Sequence, residues 1–449
     1  MKFGFPKIKR TNVVYFLDNI REAISNIVFL TQTFFICLEF GFLYAINYDE
    51  EIRFENFIKQ LASLNIFYVK IFQSICTNNY LLNDMQSEYL LKCTDEVPFS
   101  SNEIDISIER SLDTTALRIR DNLEIYKHGE YLYPYKSGMI SLIYRGTLNG
   151  EKVIIKVLRK NIKNRLHFAL KRMDFLFKII GYLPYIRSFQ LNELIKENKA
   201  ILMSQTNFNN EVENISKMYS NCLSTDYVKI PKVYPEYTND NNSVIVMEFL
   251  DGCKLEQLDE NDKDIYCEQL AKFSVKCILY NRLYHADLHP GNILFIKDTC
   301  GDRDIRKLGI IDFGIMGELT KNEQNYYFKL LTSIANTKNY EDVIDIFLDG
   351  LVEPREKIRE LSETRYKILR SELANILNNK QTNYITSCDV FKINTKLRKY
   401  NLFLSKSFCK VELCMAISDS VISKLSCNTS YLDYIKESVV SAFKTMNFT

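Results

Sequence analysis

The stretch "HADLHPGNILFIKDTCGDRDIRKLGIIDFG", residues 285–314, packs two of the chain's four histidines, five aspartates and four of its fourteen glycines into thirty positions. Asp287 and Asn292 stand on either side of the Pro290-Gly291 turn, and Asp312 follows a short apolar run and precedes Phe313-Gly314. Carboxylate and amide oxygens are hard ligands of the kind Mg²⁺ prefers. Phosphoryl transfer from ATP asks little covalent work of a protein. It needs metal ions on the phosphates, a carboxylate to orient or deprotonate the nucleophile, and positive charge on the phosphate oxygens. The stretch supplies the first two: Asp312 and Asn292 are the candidate Mg²⁺ ligands and Asp287 the candidate base. Asp298, Asp302 and Asp304 crowd around Gly301 and read as solvated residues of a turn. His285 and His289 read as braces that hold the loop by hydrogen bonds.

The positive charge must come from upstream. In "VIIK" a lysine, Lys156, ends an apolar strand pattern, where a rigid backbone can aim its ammonium at the α- and β-phosphates. A buried lysine needs a carboxylate, and "NFNNEVEN" offers Glu211 on a predicted helix, with Glu213 as the fallback and Asn214 on the face of Glu211. The loop "KSGMIS", residues 136–141, lies between two predicted strands and has the small residues, Ser137, Gly138 and Ser141, that a backbone covering phosphates requires. "VIVMEFLDG" reads as a buried strand entering a hinge, with the backbone of Glu248 to Leu250 placed to meet an adenine and Met247 lining the pocket. Each of these features alone is an ordinary structural occurrence. Their order along the chain, each on the element its role requires, is the argument.

Composition narrows the alternatives. A length of 449 residues exceeds one small core, and 46% AVILMFWYC content is ample to bury two or three units. A formal net charge of +2 does not suit a nucleic-acid binder held by a basic surface. The twelve cysteines are scattered without a C-x-x-C pair, so the sequence suggests neither a zinc site nor a disulfide scaffold, and an intracellular, reducing compartment is expected. Near the N-terminus the apolar run of residues 26–46 is long enough to span a bilayer, yet Gln32 and Glu39 interrupt it. A long amphipathic helix, packed on the protein or lying on a membrane surface, suits that mixture better than a spanning segment.

Along the chain, residues 50–130 read as helices. "YLYPYKSGMISLIYRGTLNGEKVIIKVLRK" reads as strand, turn, strand with Asn149-Gly150 as the turn, residues 160–225 read as helical, and residues 228–252 read as two short strands around a polar turn. The remainder reads as mostly helical.

"YHADLHPGNILF" with "LGIIDFGIMGEL" resembles the UbiB-like atypical kinases, also called aarF-domain kinases. Plain protein kinases usually carry an arginine after the first histidine and lack the H-P-G; small-molecule phosphotransferases share the H-P-G but not the upstream segments. Here "FYVKIFQSICTNNYLLND" (67–84) resembles the family's K-x-G-Q segment through Lys70 and Gln73, "DEVPF" its acidic-Pro loop, and "FNNEVEN" its F-x-x-E-A-x-N. "IPKVYPEYTNDNNSVIVMEFLDGCKL" resembles its strand pair and hinge. The resemblance covers roughly residues 60–345. It implies a two-lobed, protein-kinase-like α+β fold with an N-terminal helical extension over the active site. It further implies ATP and Mg²⁺ as cofactors, kinase or ATPase activity, and membrane association in isoprenoid-lipid or quinone metabolism. The expected divisions are a helical, membrane-associated segment (1–59), the family extension (60–130), an N-lobe (131–250) and a helical C-lobe (251–449).

Departures from the family pattern cluster in its control elements. Phe72 replaces the glycine of K-x-G-Q, and Gln205-Thr206-Asn207 replaces E-L-D. The alanine-rich loop has become Ser137-Gly138-Met139-Ile140-Ser141, with Leu142 in place of Gln. The phosphoryl-transfer residues are complete, so retained catalysis with altered regulation or substrate access is expected. Two alternatives stand beside it: a nucleotide-binding pseudoenzyme scaffold, with Phe72 sealing the acceptor site, and a small-molecule phosphotransferase, against which the 60–130 extension speaks.

Overall fold

The structure is a computed structural model, and it describes residues 10–76, 85–86, 89–90, 97–104, 123–126, 133–180, 199–239, 242–300, 303–336, 340–379 and 387–425. The continuation of the K-x-G-Q-like segment at 77–84, the acids Asp95 and Glu96, and the pair Gly301-Asp302 lie outside the described residues. The chain forms two compact units: Met1–Gly150 with Ile155–Asn207, and Glu151–Ile154 with Phe208–Thr449.

The first unit begins with three helices, α1 (Arg10–Ala45), α2 (Glu50–Leu64) and α3 (Phe67–Cys76). Asp49 caps α2 by accepting from the Ile52 N–H at 2.9 Å, and Glu50 and Glu51 complement the helix dipole in its first turn. One face of α1 packs on its neighbours: Phe29 joins Ile58, Leu61, Phe67, Tyr68 and Phe72 in a single apolar cluster. Glu39, which interrupts the apolar run, accepts from Gln60 of α2 at 3.1 Å, so its carboxylate has a polar partner. The opposite face is bare: Ile24, Ile27, Phe34, Phe35, Leu38 and Phe42 are all exposed, and apart from the adjacent Phe34 and Phe35 they recur at intervals of three, four or seven. Ile20–Ala45, with mean hydropathy 1.7, is long and apolar enough by length and composition to cross a membrane. Phe72 is part of the core of this unit, with its ring 6.3 Å from that of Tyr68. A large side chain at this position fills apolar space; the reading in which it seals an acceptor site has no support here.

Four strands follow: β1 (Leu123–Ile125), β2 (Lys136–Ser137), β3 (Ser141–Leu148) and β4 (Glu151–Leu158). β1 is a departure from the all-helical expectation for 50–130. It pairs antiparallel with β3, setting Ile125 opposite Gly146. A Cβ at Gly146 would lie 2.2 Å from the Glu124 carbonyl oxygen and 2.9 Å from Ile155 Cδ1, so only glycine lets the backbones approach this closely. Asn149 and Gly150, at φ 51° and 85°, form the left-handed pair a two-residue turn needs. Helix α4 (Ile162–Ile180) buries Ile162, Leu166, Leu170, Met173 and Phe177, a one-sided helical stripe.

The second unit opens with α5 (Phe208–Cys222), β5 (Val228–Lys229), α6 (Pro235–Asn239) and β6 (Val244–Glu248). These four elements group with Glu151–Ile154 of β4, and β6 lies beside β4 in one sheet. Residues 228–252 pair with themselves as expected, but only briefly: Val233 bridges Met247 antiparallel, with the Tyr234 N–H donating to Val246 O at 2.9 Å and the Glu248 N–H to Lys232 O at 2.8 Å. Pro235 starts α6 in the connection, and β5, ahead of Pro231, pairs in parallel with residues 308–309. Next come α7 (Lys263–Lys276), a π-helical turn (Cys277–Asn281) ending at Arg282 with φ 53°, and β7 (Leu283–His285). β8 (Ile293–Cys300) and β9 (Arg303–Ile310) form an antiparallel hairpin from Ile293↔Ile310 to Cys300↔Arg303, and β10 (Met316–Glu318) pairs with β7. The rest is α8 (Lys321–Asn336), α9 (Glu341–Gly350), β11 (Val352–Glu353), α10 (Arg355–Arg359), α11 (Glu363–Asn378), α12 (Ser387–Lys399), β12 (Phe403–Leu404) and α13 (Lys406–Leu425).

The β8–β9 hairpin explains the opening stretch. Its residues run out and back, so Asn292 and Asp312, twenty apart in sequence, flank the same end of one ladder. The Ile311 N–H donates to Asn292 O at 3.1 Å. Phe295 anchors the hairpin: it is buried, with its ring 5.0 Å edge-to-face from Tyr266, whose hydroxyl donates to Ile296 O at 2.7 Å.

Candidate active site

Two loops of the second unit carry the candidate catalytic groups, and one histidine ties them together. His285, 2% exposed at the end of β7, accepts the Asp287 N–H on Nδ1 at 3.2 Å and meets the Asp312 carbonyl oxygen through Nε2. An Nδ1 that accepts and an Nε2 that faces a carbonyl require the neutral ring with its hydrogen on Nε2. Burial pushes the imidazole pKa below its ordinary value, against the opposing pull of the Asp312 carbonyl and the Asp287 and Asp312 charges. The His285 carbonyl in turn accepts from Cys414 of α13 at 2.8 Å. Burial, with the Asp287 charge, pushes that thiol up to about 12, so it stays a protonated donor.

The linkage has a definite sign. A base whose folded pKa is depressed leaves the unfolded chain holding more protons, so its contribution to stability is present above the ordinary value of 6.5 and declines as pH falls below it. The melting temperature of the wild-type protein is expected to fall between pH 7.5 and 5.5. His285→Gln, whose amide can both accept and donate here, is expected to show a shallower fall, measured by thermal scans across the same range. Parallel slopes would remove His285 as the source.

Around this hub the turn closes on itself. The His289 N–H donates to Asp287 O at 3.0 Å, the Asn292 N–H to His289 O at 2.9 Å, and the Gly291 N–H to His289 Nδ1 at 3.1 Å. Asn292 Nδ2 donates to Asp287 O at 2.8 Å, which leaves its Oδ1 as the atom a cation would meet. Asp312 Oδ1 accepts the Gly314 N–H at 3.0 Å. One amide oxygen and one carboxylate are too few for an all-protein cage, and no cluster of three acidic, His or Cys ligands occurs among the described residues. They do fit Mg²⁺, which keeps waters and phosphate oxygens in its shell. The sequence reading missed Lys254, whose ammonium donates to Gly291 O and secures the Pro-Gly turn. A lysine in a loop carries no signal by which to single it out.

Helix α5 reaches the second loop. Glu211 is 4% exposed, whereas the fallback Glu213 is out in solvent and paired with Lys217 at 2.9 Å. Asn214 donates to Phe313 O at 3.0 Å, and the Phe313 N–H lies 3.5 Å from Glu211 Oε1, a long contact. One turn of α5 thus grips both backbone groups of Phe313. At the hinge, the Glu248 side chain is engaged with Lys229 at 2.7 Å and with the Lys232 N–H at 3.2 Å. The Phe249 N–H donates to Lys152 O at 3.1 Å, while the Leu250 N–H makes no backbone hydrogen bond among the described residues. Met247 is buried beside it in β6. Gly252 and Gly309 press on Leu294 and Ile296, where an added Cβ would come within 2.9–3.3 Å of their side chains. The half-buried Leu294 was not singled out by sequence, because an apolar residue in a strand reads as core.

The remaining candidates lie in the first unit. Lys156 is buried on β4. Ser137 is buried with its hydroxyl donating to Val97 O and accepting from Arg159, so the hydroxyl is taken up in wiring the loop. The Gly138 N–H donates to Ser141 O at 2.9 Å, closing the 138–141 turn, and Ser141 is buried. Of the E-L-D replacements, Thr206 donates to Met203 O at 2.7 Å, and Gln205 Oε1 is buried without a hydrogen-bond partner.

The ABC1 atypical kinase-like domain matches residues 95–347, more than half of the chain. The chain belongs to the ABC1 atypical kinase-like family. A probable protein kinase UbiB of Shewanella halifaxensis is 27% identical over 360 residues, covering 77% of this chain and 62% of its own length. The corresponding protein of Shewanella pealeana is 26% identical over 335 residues, covering 72% and 58%. The chain therefore spans about six tenths of the length of these relatives. Among solved structures, the complex of Rv3197 with erythromycin from Mycobacterium tuberculosis aligns with a TM-score of 0.46 at 16% identity, covering 79% of this chain and 87% of that one. The Rio2 kinase complex with ADP, Mg²⁺ and phosphoaspartate from Chaetomium thermophilum aligns with a TM-score of 0.28 at 14% identity, covering 78% and 95%. The two-lobed, kinase-like α+β fold is that of the ABC1 family, and the Asp287, Asn292 and Asp312 loops fall inside the matched domain.

Proposed function

We propose that this chain binds Mg-ATP and acts as an atypical kinase or ATPase, and that it works at a membrane surface. The observation that carries this reading is the His285 hub. A neutral histidine joins the backbone of Asp287 to that of Asp312, and Asn292 bonds the Asp287 carbonyl, so base and metal candidates share one hydrogen-bonded unit. Asp287 orients an acceptor hydroxyl or water and takes its proton. Asn292 Oδ1 and Asp312 would hold Mg²⁺, which neutralises charge on the phosphates when bound. Leu250 N–H and the Glu248 backbone receive the adenine edge, with Met247 and Leu294 against its faces. Lys156 supplies positive charge to the phosphates, and Glu211 keeps the orienting role its sequence pattern gives it. A formal net charge of only +2 does not favour nucleic acid as partner. The free cysteines among the described residues fit a reducing compartment.

The membrane part rests on the exposed apolar stripe of α1, which is larger than the scattered apolar residues a surface normally shows. The test measures release of phosphate from Mg-ATP by the full chain, with and without vesicles of mixed zwitterionic and anionic phospholipid. Turnover, its loss in Lys156→Ala, and flotation with vesicles that Phe35→Ser with Phe42→Ser abolishes are the expected results. Equal turnover in wild type and Lys156→Ala would refute the catalytic part, and no flotation of the wild type the membrane part.

A further inference from the structure

Arg159 follows β4 directly and is 1% exposed. A guanidinium withdrawn from water costs several kcal/mol unless its donors are taken up. Here every nitrogen is engaged. Nε donates to Gly138 O at 3.0 Å, Nη1 to Pro98 O at 3.0 Å and to Glu103 Oε2 at 2.7 Å, and Nη2 to Val97 O at 2.9 Å and Ser137 Oγ at 2.7 Å. Its backbone N–H donates to Ile140 O at 2.9 Å. The segment it grips is bound to the turn independently, because the Val97 N–H donates to Ser137 O at 2.9 Å and the Lys160 N–H to Glu103 O at 2.8 Å. Burial favours a protonated Glu103, but the hydrogen bonds and charges of Arg159 and Arg165 outweigh it and hold the pKa below its ordinary value, so the clasp is an ion pair at neutral pH.

The consequence lies on the other side of the turn. In a trans peptide a carbonyl and the N–H that follows it point in opposite directions. Arg159 draws in the carbonyls of Gly138 and Ile140, which turns the N–H groups of Met139 and Ser141 away from it. The Met139 N–H makes no backbone hydrogen bond among the described residues. A backbone donor left over in a tight turn is one that an anion can take.

We propose that Arg159 is a positioning residue that presents the Met139 N–H to the phosphate oxygens of the nucleotide, and that Glu103 sets this geometry from the segment before the sheet. The proposal rests on the nucleotide reading above. It accounts for a fully buried arginine that the catalytic roles leave unused. It also accounts for the absence of an alanine-rich or glycine-rich loop: an external clasp, in place of small side chains, orients the backbone.

The test compares Mg-ADP with adenosine, each titrated calorimetrically into wild type and Arg159→Lys, with thermal scans of the free proteins. Lysine keeps the charge but loses the fork, so Mg-ADP affinity is expected to drop about tenfold or more. Adenosine, which has no phosphate, is expected to bind within about twofold of wild type. A purely structural arginine would weaken both ligands alike. Equal losses, or unchanged Mg-ADP affinity, would overturn the proposal. If Arg159→Lys does not fold, Glu103→Gln keeps the arginine and removes one charge-assisted bond, and the same selective loss for Mg-ADP, of smaller size, is required of it. A wild-type protein that binds neither ligand would refute the nucleotide reading itself, an outcome distinct from failure of the Arg159 role.

Discussion

Asp312→Ala is expected to lower ATP turnover by about a thousandfold or more, the scale of losing a preorganised charge at the site of phosphoryl transfer. The effect is chemical and not a loss of fold. Asp312 takes part in the local structure through its own carbonyl, which meets His285, and through one oxygen that accepts from Gly314. Alanine keeps the first of these bonds. Asp312→Asn keeps both and removes only the charge, so comparing the two separates shape from electrostatics. Both variants are expected to melt within a few degrees of wild type and to lose the Mg²⁺ dependence of ADP binding, read by titrating ADP at several Mg²⁺ concentrations. Turnover in Asp312→Asn within about threefold of wild type would remove the metal-holding role.

Phe295→Ala is expected to cost about 3–5 kcal/mol of stability, the range for truncating a buried aromatic. The ring is 1% exposed and stands edge-to-face on Tyr266 at 5.0 Å, on a hairpin whose open end carries Asn292 and Ile311. Little around it can collapse into the space, because Tyr266 is held by its hydroxyl bond to Ile296 O. The cost is read from the urea midpoint. The hairpin delivers the candidate metal residues, so Mg-ADP affinity is expected to weaken as well. Phe295→Leu, which keeps most of the volume, is expected to recover much of both losses. A cost below about 1 kcal/mol for the alanine variant would mean that the hairpin is held by something other than this contact.

Particular residues show how much the sequence could reveal. Asp287, Asn292 and Asp312 stand out as candidates because their types and local order suit Mg-ATP chemistry, and the turns that separate them are written in Pro290, Gly291 and Gly314. The turn at Asn149-Gly150 was legible for the same local reason, since few residues accept positive φ. The choice between Glu211 and Glu213 was left open by sequence, because two acids two apart on a helix differ only in which face the tertiary structure covers. The strand β1, three residues long, lacks a run that would mark it, and it exists because Gly146 lets it approach β3. Residues 228–252 read as a strand pair because Val and Ile cluster there, and Val233 does bridge Met247, whereas the partner of β5, β9, lies about eighty residues onward.

By itself, then, the amino-acid order determined the inventory: which carboxylates, amides and lysine suit phosphate chemistry, where the backbone turns, and that α1 carries a long apolar stripe. These follow from side-chain chemistry and from periodicities no longer than one helical turn. Only the tertiary structure decided who holds whom. His285 joining two loops, Asn214 reaching Phe313 across 99 residues, and Arg159 reaching Val97 across 62 are contacts between chemically ordinary groups. A buried histidine or arginine is set by the partners that satisfy it, and those partners are brought near only when the chain has closed over them.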